Sequence, residues 1–229
     1  HARAAIAATV DVILSRSITG NSIGAKLTIP QGTLFTDSSG NSWLSARDVT
    51  WYSNVTTCKV PIIQHEKYTA SVLNNMVIPT GDRVIIHLGT LPNGKYYEQG
   101  SMSLQIGGET WVLVDTFAKS KPTDKHFMVS VDEALNPYIM FGDGTFGKKP
   151  AAGAKITNVV FYLTNGTQGN VKSNTITSVP SVISSSITDA TVSNAYDAGG
   201  GSNYENFTML KEHIPLSVKT LGVAITKED

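Results

Sequence analysis

Ser103-Leu104-Gln105-Ile106-Gly107-Gly108-Glu109-Thr110-Trp111-Val112-Leu113-Val114 sets two short apolar and β-branched runs on either side of a Gly-Gly pair. The runs 103–106 and 110–114 are close enough to be joined by a tight turn, and glycine tolerates the positive φ that such turns demand. A β-hairpin is expected here, and it sets antiparallel sheet as the frame for what surrounds it.

Outward from the hairpin the same signal recurs. Downstream, 125–131 and 138–141 are strand-like around a turn holding Asn136 and Pro137, and 155–163 is a longer strand ended by Asn165 and Gly166. Upstream, 83–88 is a β-branched run. From Thr9 to Leu14 the residues alternate, with Val10, Val12 and Leu14 on one side and Thr9, Asp11 and Ile13 on the other, which is strand periodicity. Residues 26–29 form a short strand closed by Pro30, Gln31 and Gly32, and 33–36 form another, ended by a turn over 37–41.

After Gly169 the chain turns polar and Ser-rich through Ser186. Gly199, Gly200 and Gly201 then lead to Ser202, with Glu205 three residues on, the pattern of a capping box. Tyr204, Phe207, Leu210 and Ile214 recur at helical spacing until Pro215, so a helix over about 203–213 is expected, followed by a final strand over 218–225. The expected fold is mainly β, α+β overall, with several small antiparallel β domains and one short helix near the C-terminus. The segments read as 1–78, 79–165 with the glycine-rich loop, and 166–229.

Composition narrows the function. Lys and Arg total 18 and Asp and Glu total 18, so no net field draws in nucleic acid or an anionic membrane. Charged residues make up 16% of the 229, against roughly 25% in an average domain, a deficit suited to β-structure and extensive protein contacts. A single cysteine, Cys58, excludes an internal disulfide and a multi-cysteine zinc site. No apolar run approaches the ~18 residues of a membrane-spanning helix. The start at His1 and the stop at Asp229, directly after an apolar stretch, read as a piece of a longer protein.

Gly142-Asp143-Gly144-Thr145-Phe146-Gly147 spells G-x-G-x-x-G after a strand. A dinucleotide site needs that loop to open a helix and an acidic residue about 20 positions on. Here Lys148, Lys149, Pro150 and Gly153 follow instead, and no carboxylate lies near Thr164 and Asn165. The expectation is a structural turn at Gly142, Asp143, Gly144 and Gly147, with an Asx turn closed by Asp143. His65, His87, His126 and His213 lack metal-pair spacing, and no G-x-S-x-G elbow is present. Asp132 and Glu133 are adjacent in a turn, so their side chains diverge. Trp43, Trp51 and Trp111 with Tyr96 and Tyr97 are the residues a sugar-stacking platform would use, although aromatics in strands more often serve cores. No catalytic residue, cofactor or metal is expected.

Phe141-Gly142-Asp143-Gly144, then Gly147, Pro150, Gly153, Ile156 and the strand to Tyr162, resembles the core signature of the baseplate J family of contractile-tail wedge proteins. Gly169-Asn170-Val171, then Asn194, Gly200-Gly201, Ser202 to Glu205 and Ile214-Pro215, is similar to its later landmarks, and Leu27 to Thr33 with Phe35 and Gly108 to Trp111 to earlier ones. Val223-Ala224 departs where that family often carries a basic residue. The resemblance implies a non-enzymatic virion component, assembled in the bacterial host cytoplasm, that joins wedges into the baseplate ring around the hub and supports sheath initiation. Its implied partners are itself and other wedge, hub and sheath-initiating proteins. Two other readings compete: a receptor- or carbohydrate-binding β module of a tail fibre, with clustered aromatics in a groove, and a polysaccharide-cleaving domain, with two carboxylates across a cleft.

Overall fold

The computed structural model describes residues 5–18, 24, 26–71 and 73–203. The strands in chain order are β1 (Thr9–Ser15), β2 (Leu27–Ile29), β3 (Leu34–Thr36), β4 (Ser42–Ser45), β5 (Val49–Trp51), β6 (Thr57–Ile63), β7 (Glu66–Thr69) and β8 (Ile85–His87). They continue as β9 (Tyr96–Tyr97), β10 (Ser103–Ile106), β11 (Glu109–Leu113), β12 (His126–Val131), β13 (Pro137–Phe141), β14 (Ile156–Thr164) and β15 (Thr191–Ser193). One short helix, α1 (Ser181–Ser184), precedes β15. The fold is mainly β, as the periodicity implies.

Two sheets carry the molecule. The first has the order β15-β1-β6-β4-β3 and is antiparallel throughout. The second runs β7-β14-β10-β11-β12-β13-β8, with β9 also on β14, and β2 and β5 form a separate pair. Each sheet covers its own core. Val12, Leu14, Phe35, Trp43, Trp51 and Ile62 are buried in the first, and Leu104, Trp111, Phe127, Ile139, Ile156 and Phe161 in the second. Along β1 the buried positions are Val12 and Leu14, with Val10 partly covered, so period-two alternation places one face inward.

The Gly-Gly hairpin joins β10 and β11 with Leu104 opposite Trp111 and Ile106 opposite Glu109. Gly107 and Gly108 both have positive φ, at 59° and 79°, which is the type I′ signature whose twist matches the strands. No atom lies within 4 Å of a Cβ built on Gly108, so only backbone conformation opposes a side chain there. Gly108→Ala is expected to cost about 1 kcal/mol, seen as a fall of about 2–4 °C in Tm.

Among the named strands one pairing is parallel: β11 and β12 run the same way, with Val112 beside His126. A parallel pair needs a crossover of a dozen or more residues, and the 114–125 loop supplies it. That loop is pinned by Ser120 Oγ, 2.8 Å from His126 Nδ1, and by the Ser120 amide bonded to the Phe117 carbonyl.

The polar stretch after Gly169 contains α1, which inserts Ile183 into the first core, while Ile187, four residues on, is also buried. Two apolar residues in a Ser-rich background give too weak a period to announce a helix. The helix expected over about 203–213, with Glu205 of its cap, and the strand expected over 218–225 lie outside the described residues, apart from Asn203. Ser202 pairs with Ile6 through two backbone bonds of 2.9 and 3.0 Å. Sheet membership cuts across the sequence segments: β7, from 1–78, joins the second sheet, and β15, from 166–229, joins the first.

A buried polar cluster ties the end of β6 to the end of β14. Gln64 is fully buried. Its Oε1 accepts from the Asn165 amide at 2.8 Å and the Thr164 hydroxyl at 2.9 Å, and its Nε2 donates to Asn165 Oδ1 at 2.7 Å and the Ser42 carbonyl at 3.3 Å. Beside it the His65 ring stacks on Tyr162 at 4.3 Å, with Nδ1 2.6 Å from Glu98. Such a group is costly to bury alone and rigid once every partner is in place.

Candidate functional site

The loop after β13 is built from inside itself. Asp143 Oδ1 accepts from the amides of Thr145 at 2.8 Å and Phe146 at 2.9 Å, and the Gly144 amide donates to the Gly147 carbonyl at 3.0 Å. Gly144 and Gly147 have φ of 93° and 82°. Gly142 is held for a different reason: a Cβ there would sit 2.6 Å from the Gly147 Cα and closer still to its carbonyl. Three of the loop's amides are thus engaged within it, and the next one, of Lys148, donates to the Asp124 carbonyl at 2.7 Å. A phosphate cradle needs free amides at a helix N-terminus, whereas this chain continues through Pro150 to β14 without a helix.

The two amides on Asp143, that of Phe146 first, hold its carboxyl below the usual carboxylate range, with a smaller contribution from Arg83. A depressed pKa contributes stability that is present above the unfolded value and lost as pH falls through the folded one. Protection of the Thr145 and Phe146 amides, taken as the exchange rate relative to the intrinsic rate at each pH, is therefore expected to fall on acidification only below the ordinary Asp range. Loss of protection at or above that range would contradict the geometry.

The loop closes over the outer face of the second sheet. Ile85 pairs with Met140, and Met140 with Met128, in one row across β8, β13 and β12. Their neighbours Ile86, Ile139 and Phe127 are buried in the core, so alternation puts the row on the opposite face. Phe117 and Phe146 flank it, forming with Arg83 a cleft of about 260 Å³. Phe146 is 55% and Ile85 45% exposed. Sequence reasoning passed over this row. Its signal was available in Ile85-Ile86, Phe127-Met128 and Met140-Phe141, adjacent apolar residues in strands that alternate, which mark a sheet apolar on both faces.

The other residues singled out by sequence fall apart in space. His65, His87 and His126 lie on different elements, and among the described residues no three His, Cys, Asp or Glu side chains gather as a metal site would require. His126 meets Ser120, but no ion pair joins it to a carboxylate among the described residues. Asp132 Oδ1 caps the turn amides of Ala134 and Asn136. Trp43, Trp51, Trp111 and Tyr97 are buried: the Trp43 indole donates to Asp37 at 3.0 Å, and Arg16 lies 4.6 Å over Trp51. These aromatics serve the cores and offer no face to a sugar. Cys58 is buried, and that burial lifts its thiol pKa. The site this geometry builds is an apolar surface beside a rigid loop, suited to protein contact.

No protein-family model matches the chain, and no curated protein matches it. Among solved structures, a chain of the anti-feeding prophage baseplate, determined by cryo-electron microscopy, aligns over 94% of this chain and 39% of its own length, at 14% identity and a TM-score of 0.29. This chain therefore spans about two fifths of that neighbour, and at such a score the likeness is too slight to transfer anything to it.

Proposed function

We propose that this chain is a non-enzymatic structural segment of a contractile-tail baseplate, located in the virion, that joins wedge subunits around the hub and supports sheath initiation. The single observation behind it is the Phe141 to Gly147 run, the centre of the baseplate J resemblance. Its residues form a loop after β13 that is held tight by positive-φ glycines and by the close approach of Gly142 to Gly147. A part that holds neighbours in one arrangement needs such stiffness, and a low charge density that does not oppose close packing. The partners are further copies of the protein and the wedge, hub and sheath-initiating proteins. The tail-fibre alternative has no exposed tryptophan cluster to support it, since all three tryptophans are buried.

Light scattering of the protein, alone and mixed with purified tail proteins, tests the reading. A complex heavier than the monomer is expected without added cofactor or metal. A protein that stays monomeric and inert toward every tail protein, or one that turns over host polysaccharide, would overturn it.

A further inference from the structure

Among the described residues, the β8 edge of the second sheet is unpaired. β8 is terminal in the strand order, and its bonds to β13 run through the Val84 carbonyl, 3.3 Å from the Phe141 amide, and the Leu88 amide, 3.1 Å from the Pro137 carbonyl. An antiparallel ladder alternates, so Ile86 faces β13 with them, while the amides and carbonyls of Ile85 and His87 point to the open side. Native edges are commonly blunted by short length, proline, a bulge or an inward charge. β8 is short, at three residues, but has no proline, bulge or inward charge, and its exposed Ile85 begins the apolar row that runs to Met140 and Met128.

Arg83 adds the selective feature. It is exposed, lines the cleft together with Ile85, and makes no hydrogen bond or salt bridge among the described residues; Asp143 on the same cleft feels its charge but commits Oδ1 to the Thr145 and Phe146 amides. We infer that β8 is a strand-addition site for an extended segment of another protein, one that sets an apolar side chain opposite Ile85 and a carboxylate opposite Arg83. In the antiparallel sense the carboxylate follows the apolar residue by two positions, since alternate residues share a face. Pairing of β8 with the β8 of a second copy does not meet that requirement. Antiparallel self-pairing with Ile85 opposite itself places His87 against Arg83, and pairing Ile85 with His87 places Gly89 there, so neither supplies an acid. The inference holds whether or not the chain is a baseplate component.

The test uses the full chain and a synthetic nine-residue peptide of alternating threonine and valine, with leucine at its fifth position and glutamate at its seventh. Binding is expected to slow amide exchange at Ile85 and His87. Replacing the peptide glutamate by lysine is expected to weaken binding by about fivefold, the scale of reversing one exposed ion pair. Arg83→Glu, at an exposed position, is expected to invert that preference. Unchanged exchange at both residues under saturating peptide, or a glutamate preference that survives Arg83→Glu, overturns the proposal. So does protection of Ile85 and His87 in the peptide-free chain that rises with protein concentration, which would make the occupant a second copy.

Discussion

Gln64→Leu is expected to destabilise the chain by about 4 kcal/mol, the sum of several buried groups losing their partners at once. Leucine fills a similar volume, so packing changes little. The Asn165 amide and the Thr164 hydroxyl both lose Gln64 Oε1 as acceptor, and Asn165 Oδ1 loses a donor, keeping only Lys95 Nζ at 3.0 Å. Water cannot easily replace these contacts where Gln64 and Thr164 are fully buried. In a chain of this size the loss corresponds to a fall of roughly 8–16 °C in Tm. Amide exchange separates this from a general loosening. The Asn165 and Gly166 amides should open before the β12–β13 ladder, because the cluster fastens the two sheets to each other and not the interior of either. A variant within about 1 kcal/mol of the parent chain would show that the cluster does not hold the junction.

Gly142→Ala is expected to cost about 3 kcal/mol, at the upper end for added bulk in a packed site. Its new methyl carbon would meet the Gly147 backbone, which cannot rotate aside as a side chain would. Nor can the loop slide, since Phe141 is buried before it and the Lys148 amide is bonded to Asp124 after it. Gly40→Ala is the matched comparison. Gly40 has φ of 82° with no atom within 4 Å of its Cβ position, so only the left-handed conformation opposes the change, at about 1 kcal/mol. Denaturant unfolding of the two variants should separate them by about 2 kcal/mol in favour of Gly40→Ala. Equal values would mean that the approach of Gly142 to Gly147 is not held closed.

Much of the local structure was legible because it is decided over few residues. The Gly107-Gly108 pair announced its turn, and the alternation in Thr9–Leu14 gave both the strand and the residues that share a face. Asp143 with its flanking glycines announced an Asx-closed loop. The helix that the described residues contain was hidden, since Ile183 and Ile187 alone carry its apolar face within a serine-rich run. The parallel β11–β12 pairing was hidden too, because the 114–125 crossover has no helix to mark it.

The candidate surface was less visible still. Ile85, Met140 and Met128 are far apart in the chain and meet only through the register of three strands. A strand's period tells which residues share a face; it does not tell which strand lies alongside or which one is left at the edge.

The sequence by itself determined that this chain is built of sheets, where several of its turns fall, and that its glycine-rich loop is a turn. Those outcomes depend on φ, on side-chain alternation and on contacts within a few residues. Only the tertiary structure decided that β15 returns to β1, that Gln64 reaches across 101 residues to Asn165, and that β8 ends its sheet with Arg83 and Ile85 beside an open backbone. Each of these is a choice among distant partners with the same strand pattern, settled by which arrangement buries both cores while satisfying the polar groups between them.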